Sequence, residues 1–375
     1  MSAAQGHCTD QFEGVRQAFE ANLENGQDVG ASVCVIRGDE VVVDLWGGFR
    51  DEARTTPWTA DTLVNVWSST KTTTFLAILM LADRGELDID APVSRYWPEF
   101  NAAGKETITV RHLLNHTAGL SGWTDVPQPE QLADWELCTS RLAAQEPWWS
   151  DRNQSGYHAL TQGYLLGEVV RRITGKSFGA FLATEIAGPL GADFHVGLSP
   201  DNDARVAPVI PMEMAGMDAI PHDSLAYRTL TSPLLNPFMA NESWWRHAEI
   251  PAANGHGNAK SLATIQHVIS NGGEYRGVRL LSDKGIDPIF HPVTQGTDAV
   301  LNIGLAFGTG YGLGTPTIPI GPDSCFWAGF GGSLIVMNRA LKLTVAYDMN
   351  AMRAGLVGDT RGFGLVMAAA AAAMA

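Results

Sequence analysis

Ser68 and Lys71 stand three residues apart at the head of a segment, Thr72 to Gly85, that reads as one helix. Its apolar residues Phe75, Leu76, Leu79 and Met80 recur at helical spacing, and Gly85 sits where a helix stop belongs. That spacing puts both side chains on one face of the first turn. A serine hydroxyl there lies near unpaired N–H groups and the positive end of the helix dipole. A lysine backed by apolar residues binds its own proton less tightly and can take one from the serine. The two form a candidate nucleophile and base, and no other Ser-x-x-Lys occurs in the chain.

A second serine competes for the role. Gly175-Lys176-Ser177-Phe178-Gly179 matches Gly-x-Ser-x-Gly, in which a strained turn from strand to helix exposes the hydroxyl. Here the preceding residues, Tyr164 to Ile173, read as a helix and Gly175 as its C-terminal glycine. Ser177 then fits an N-cap for Phe178 to Ile186. The sequence therefore assigns the nucleophile to Ser68 and treats Ser177 as a decoy.

Further strings follow Ser68-x-x-Lys71. They are Gly85-Glu86-Leu87-Asp88-Ile89-Asp90-Ala91-Pro92-Val93, Arg111-His112-Leu113-Leu114-Asn115-His116-Thr117-Ala118-Gly119-Leu120, Tyr157 ahead of a helix, and Trp327-Ala328-Gly329. Through them, from about residue 10 to the C-terminus, the chain resembles the serine β-lactamase and penicillin-binding-protein superfamily. More narrowly it is similar to the family VIII carboxylesterases, themselves similar to class C β-lactamases. The resemblance implies a β-lactamase/transpeptidase-like fold with its site between two lobes and no cofactor. It implies that Tyr157 works with Lys71 as a second base, relaying the serine proton to the leaving group. It also implies an oxyanion hole made by the backbone N–H groups of Ser68 and Phe330.

The chain departs from the β-lactamase pattern twice. Tyr157-His158-Ala159 lacks the asparagine of Tyr-x-Asn, which helps hold the acyl amide of a β-lactam. Trp327-Ala328-Gly329 replaces Lys-Thr-Gly, so an indole stands where a lysine would draw in a substrate carboxylate. Indole offers an apolar face and one N–H but no charge. An anionic β-lactam thereby loses a charge-assisted hydrogen bond worth about 1.5–3 kcal/mol, while a neutral ester loses nothing. The expected activity is hydrolysis of small, short-chain carboxylic esters through an acyl-enzyme on Ser68. Acyl transfer to another acceptor, weak β-lactam hydrolysis, or a non-catalytic penicillin-binding-like module are the alternatives. Asn254-Gly255-His256-Gly257-Asn258 is expected to border the cleft, with Asn254 and His256 joining Trp327, Ala328 and Gly329 in contacting substrate. His158 has no partner or role legible from sequence.

Composition narrows the rest. Twenty-five basic against forty acidic residues give a formal charge of −15, spread without long blocks, which argues against nucleic acid and anionic membranes as partners. The ten histidines make no His-Glu-x-x-His or other ligand spacing, so no metal is expected. Four cysteines, Cys8, Cys34, Cys138 and Cys325, lie too far apart to suggest a disulfide framework. Met1 to Arg16 has neither a basic start nor an apolar run, so a cytoplasmic location is expected. The longest apolar stretch, Gly362 to Ala375, falls short of the roughly 20 residues that span a bilayer.

The elements that must position these residues also show. Ala31 to Ile36 and Val41 to Trp46 read as a hairpin turning at Gly38-Asp39. Ser333 to Met337 and Leu341 to Tyr347 read as another, turning at Asn338-Arg339-Ala340. Helical patterns fill most of residues 70 to 250 between them. The predicted class is α/β (α+β): an antiparallel sheet formed by both termini, flanked by helices that include Gln11 to Leu23, with an inserted mostly helical lobe. The expected boundaries are 1–66 and 258–375 for the α/β lobe and 67–257 for the helical lobe carrying the nucleophile helix. At 375 residues, 45% of them hydrophobic, the chain can bury a large core.

Overall fold

Residues 4–212, 219–234, 236–355 and 357–375 are described by the structure, a computed structural model. Three strands come from the N-terminal part: β1 (Gln5–Cys8), β2 (Gly30–Arg37) and β3 (Glu40–Gly48). The reversal between β2 and β3 passes through Gly38 at φ 56°, a left-handed conformation that costs glycine little. Two short strands, β4 (Val64–Asn65) and β5 (His256–Gly257), pair with each other antiparallel. A small hairpin, β6 (Glu274–Tyr275) and β7 (Val278–Arg279), follows. The remaining strands are β8 (Thr294–Thr297), β9 (Gly304–Phe307), β10 (Gly312–Leu313), β11 (Ser324–Ala328), β12 (Leu334–Asn338) and β13 (Leu343–Met349).

Nine of these strands form one sheet in the order β1-β3-β2-β13-β12-β11-β10-β9-β8, with every neighbouring pair antiparallel. The seam between the N- and C-terminal strands is β2 against β13, with Cys34 opposite Ala346. β2 is buried from Gly30 to Ile36 instead of alternating, because helices cover both faces of the sheet. Tyr347 on one face donates its hydroxyl to Asp28 and lies beside Arg361 of the helix Thr360–Met374. Thr344 on the other face meets His267 and Ser270 of the helix Ala259–Ser270.

Two helices of the intervening segment matter for the site. Lys71–Asp83 is buried at every position from Lys71 to Leu81, so it is a central helix with no solvent face. Gly85, at φ 75°, lies just past its end. Thr161–Thr174 packs against it and ends at Gly175 in the left-handed conformation, φ 72°.

Candidate active site

Ser68, Ser69 and Thr70 form a single 3₁₀ turn before the α-helix proper starts at Lys71. This tightens the expected arrangement: in a 3₁₀ turn residues i and i+3 eclipse, which sets Lys71 directly over Ser68. The Lys71 Nζ lies 3.0 Å from Ser68 Oγ. Trp67 just before the nucleophile has φ 49° and ψ −132°, an unusual conformation for a side-chain-bearing residue. Such strain costs about 1–3 kcal/mol and persists only where surroundings enforce it. Here Trp67 packs on Trp245 and Phe330, with ring centroids 5.6 and 5.5 Å away, and its carbonyl accepts from Thr70.

Lys71 is fully buried and has no carboxylate partner among the described residues. Burial holds its amine well below the usual lysine range. Two backbone carbonyls accept from Nζ, Ala159 at 2.7 Å and Ala252 at 2.9 Å. A neutral amine has two N–H groups and one lone pair. With both N–H groups on carbonyls, the lone pair is left facing the Ser68 hydroxyl.

Tyr157 completes the group by donating its hydroxyl to Ser68 Oγ at 2.7 Å. Burial pushes its phenol up, outweighing the hydrogen bonds with Ser68 and Trp327 that pull the other way. A phenol so placed keeps its proton until a stronger base is near.

The segment carrying Tyr157 is held by two histidines that sequence left without roles. His158 Nε2 accepts from Leu120 N–H at 3.1 Å, so its proton is on Nδ1, which donates to Gly156 O at 2.6 Å. Burial pushes this imidazole down to about 3. His116 Nδ1 accepts from His158 N–H at 3.0 Å, and its ring lies 5.0 Å from that of Tyr157. His116 also stacks on Trp327 at 5.6 Å and 23°.

Trp327 is buried. Phe75 meets it edge-on at 4.9 Å and Phe307 lies 5.9 Å away. Trp327, Ala328, Tyr157, Leu301, Leu305 and Phe307 are among the walls of a recess with about 360 Å³ of empty space, part of it open to solvent. The lining is apolar apart from the Tyr157 hydroxyl and the indole N–H.

Gly329 comes next on the same chain segment, and space dictates its identity. A Cβ there would lie 2.1 Å from Ser333 Oγ, 2.3 Å from Val66 O and 3.3 Å from Ser68 N. The close approach brings Phe330 beside the nucleophile. Neither the Ser68 N–H nor the Phe330 N–H has a partner among the described residues, so both are free to bind an oxygen.

Asn254 and His256 do not face substrate as expected. Both side chains are fully buried. Asn254 accepts from Ile250 N–H and donates to the carbonyls of Trp245 and Ala248. His256 Nδ1 lies 2.8 Å from Asn254 O, and burial pushes its imidazole down to about 3. The segment serves the site through its backbone instead: Ala252 O holds Lys71, and Gly255 N–H donates to Thr70 Oγ1 at 2.8 Å.

Ser177 caps the helix Phe178–Phe181, accepting from Ala180 N–H at 3.3 Å and donating to Glu249 at 2.6 Å. It is exposed, and among the described residues its hydroxyl meets the Glu249 carboxylate and neither a lysine nor a histidine. Ser177→Ala is therefore expected to keep ester turnover within about twofold while losing about 0.5–2 kcal/mol of stability, read from parallel kinetic and thermal-melt measurements. Among the described residues no group of three or more His, Cys, Asp or Glu could hold a metal ion.

Known proteins share this fold. The beta-lactamase family model matches residues 15–362. The esterase/beta-lactamase LipL of Mycobacterium tuberculosis is 36% identical over 377 residues, covering 94% of this chain and 86% of its own. The crystal structure of a family VIII carboxylesterase superimposes with a TM-score of 0.92 at 39% identity, covering 98% of this chain and 99% of the other. A penicillin-binding-protein homologue from Caulobacter crescentus gives 0.91 at 36% identity, with the same coverage. With a family match along most of its length and relatives above 30% identity across nearly all of it, this chain belongs to the beta-lactamase family.

Proposed function

We propose that this protein hydrolyses small, uncharged carboxylic esters through an acyl-enzyme on Ser68. The observation that carries the reading is the placement of Ser68 Oγ between the buried Lys71 amine, 3.0 Å away, and the Tyr157 hydroxyl, 2.7 Å away. The relatives named as esterases support it.

In the acylation step Lys71 takes the Ser68 proton as Oγ attacks the ester carbonyl. The N–H groups of Ser68 and Phe330 hold the developing oxyanion; losing one such donor typically costs about 100–1000-fold in rate. The C–O bond to the alcohol breaks as Tyr157 gives the alkoxide its proton, and the Lys71 ammonium returns a proton to the phenolate. Water then retraces the path: it loses a proton to the same pair, attacks the acyl carbon, and Ser68 leaves with its hydroxyl restored. No cofactor enters any step.

Trp327 and Ala159 set the preference for neutral substrates. Neither supplies a cation or an amide to a β-lactam, and the recess that Trp327 borders is apolar. The test is kcat/KM on nitrophenyl esters of increasing acyl length, run beside a chromogenic cephalosporin. Short esters should exceed the cephalosporin by at least about 100-fold, since two lost polar contacts of about 1.5 kcal/mol each amount to that ratio. A wild-type preference for the cephalosporin would sink the reading. Trp327→Ala should enlarge the recess and move the optimum to longer acyl chains. An unchanged chain-length profile would show that the indole does not bound the acyl group.

A further inference from the structure

We propose that Asp298 is a positioning residue for Tyr157 and, through the same oxygen, for one wall of the apolar recess. The proposal rests on the reading of Tyr157 as a member of the proton relay. Asp298 lies between β8 and β9 and is fully buried. Its Oδ1 accepts three backbone N–H groups: Tyr157 at 3.1 Å, Val300 at 2.9 Å and Leu301 at 2.9 Å. The last two close the turn in which the carboxylate sits. The first crosses 141 residues of sequence to hold the backbone of the residue whose hydroxyl rests on Ser68.

Neighbouring bonds run the same way. Ala299 N–H donates to Ser155 O at 2.9 Å, and the Gln154 side chain donates to Thr297 O at 2.9 Å. The strip Gln154–Tyr157 is thereby sewn to the β8–β9 connection, and Leu301 from that connection lines the recess. The position calls for an acceptor, and three N–H groups converge on Oδ1, while Oδ2 is buried with no partner among the described residues. Tyr157 lies between Gly156 and His158, whose N–H groups both go to His116 (Gly156 N–H to His116 O, His158 N–H to His116 Nδ1), while its own N–H goes to Asp298. Without Asp298 the tyrosine backbone swings on one side, and a displacement near 1 Å at a reacting group costs about 100-fold.

The experiment is a double-mutant cycle on short-chain nitrophenyl ester hydrolysis, with wild type, Asp298→Ala, Tyr157→Phe and the double variant, each also melted thermally. Asp298→Ala is expected to lower kcat about 100-fold in the wild-type background. With the Tyr157 hydroxyl absent, the same change should cost less than about threefold, since a residue acting through another has nothing left to act on. Asp298→Asn keeps an acceptor oxygen and should stay within about tenfold of wild type. An Asp298→Ala loss of equal size in both backgrounds, or a loss below threefold in the wild type, overturns the proposal and leaves the relay intact. A Tyr157→Phe enzyme as fast as wild type would remove the relay itself, and this proposal with it. If the alanine variant fails to fold, Asp298→Asn decides: activity within tenfold supports the role and a larger loss overturns it.

Discussion

Ser68→Ala should lower kcat for a short-chain ester by about 10⁵–10⁶-fold, the scale seen when the nucleophile of a unit acting in concert is removed. The geometry offers no substitute. Two neighbouring serines, Ser69 and Ser333, are hydrogen-bonded to each other at 2.8 Å, and Ser333 also donates to Val66 O. Neither reaches Lys71. The fold should be undisturbed, because Ser68 is only partly buried and among the described residues its side chain bonds only to Lys71 and Tyr157. Labelling by a fluorophosphonate probe should vanish while Tm moves by no more than a few degrees. Labelling that survives in Ser68→Ala and disappears in Ser177→Ala would replace this chemistry with that of an α/β-hydrolase.

Lys71→Met should cost about 10³–10⁴-fold in kcat, at the upper end for loss of a general base, and adding Tyr157→Phe should make the enzyme little worse. The same variant reports on protonation. Burial lowers the affinity of folded Lys71 for a proton, so folding expels one that the unfolded lysine would keep up to about pH 10.4. Between those two pKa values the unfolded state binds more protons, and stability rises with pH by up to about 1.4 kcal/mol per unit. The methionine variant lacks this slope. In urea titrations at pH 7, 8 and 9, the stability of wild type minus that of Lys71→Met should therefore climb, and ester turnover should fall as pH drops through the folded-state value. A flat difference would mean that Lys71 is charged in the folded enzyme and cannot take the serine proton unaided.

How much of this was legible in the chain follows from distance along it. The Ser68–Lys71 pair, the stops at Gly85 and Gly175, the cap at Ser177 and both hairpins are local, so spacing and turn residues reveal them. The acceptors that set the state of Lys71 are backbone carbonyls at Ala159 and Ala252, 88 and 181 residues away, and a carbonyl leaves no mark on residue type. Asn254 and His256 misled for the same reason: polar side chains in a glycine-rich stretch suggest a binding loop, yet here they satisfy buried backbone while the backbone serves the site. Trp327 was visible as an absent cation, but its packing on His116 and Phe75 was not.

The seam at β2–β13 has a consequence for how the protein is made. β2 finds its partner roughly three hundred residues downstream, in the last strand among the described residues. At ribosomal speeds of about 5–20 residues per second, the open side of the first hairpin waits roughly 15–60 s for it. An apolar strand edge left bare that long is a template for pairing with other chains. Expression yield should accordingly depend on temperature and chaperone supply more than on equilibrium stability, and trimming the chain before Leu343 should yield aggregates, not a smaller folded protein.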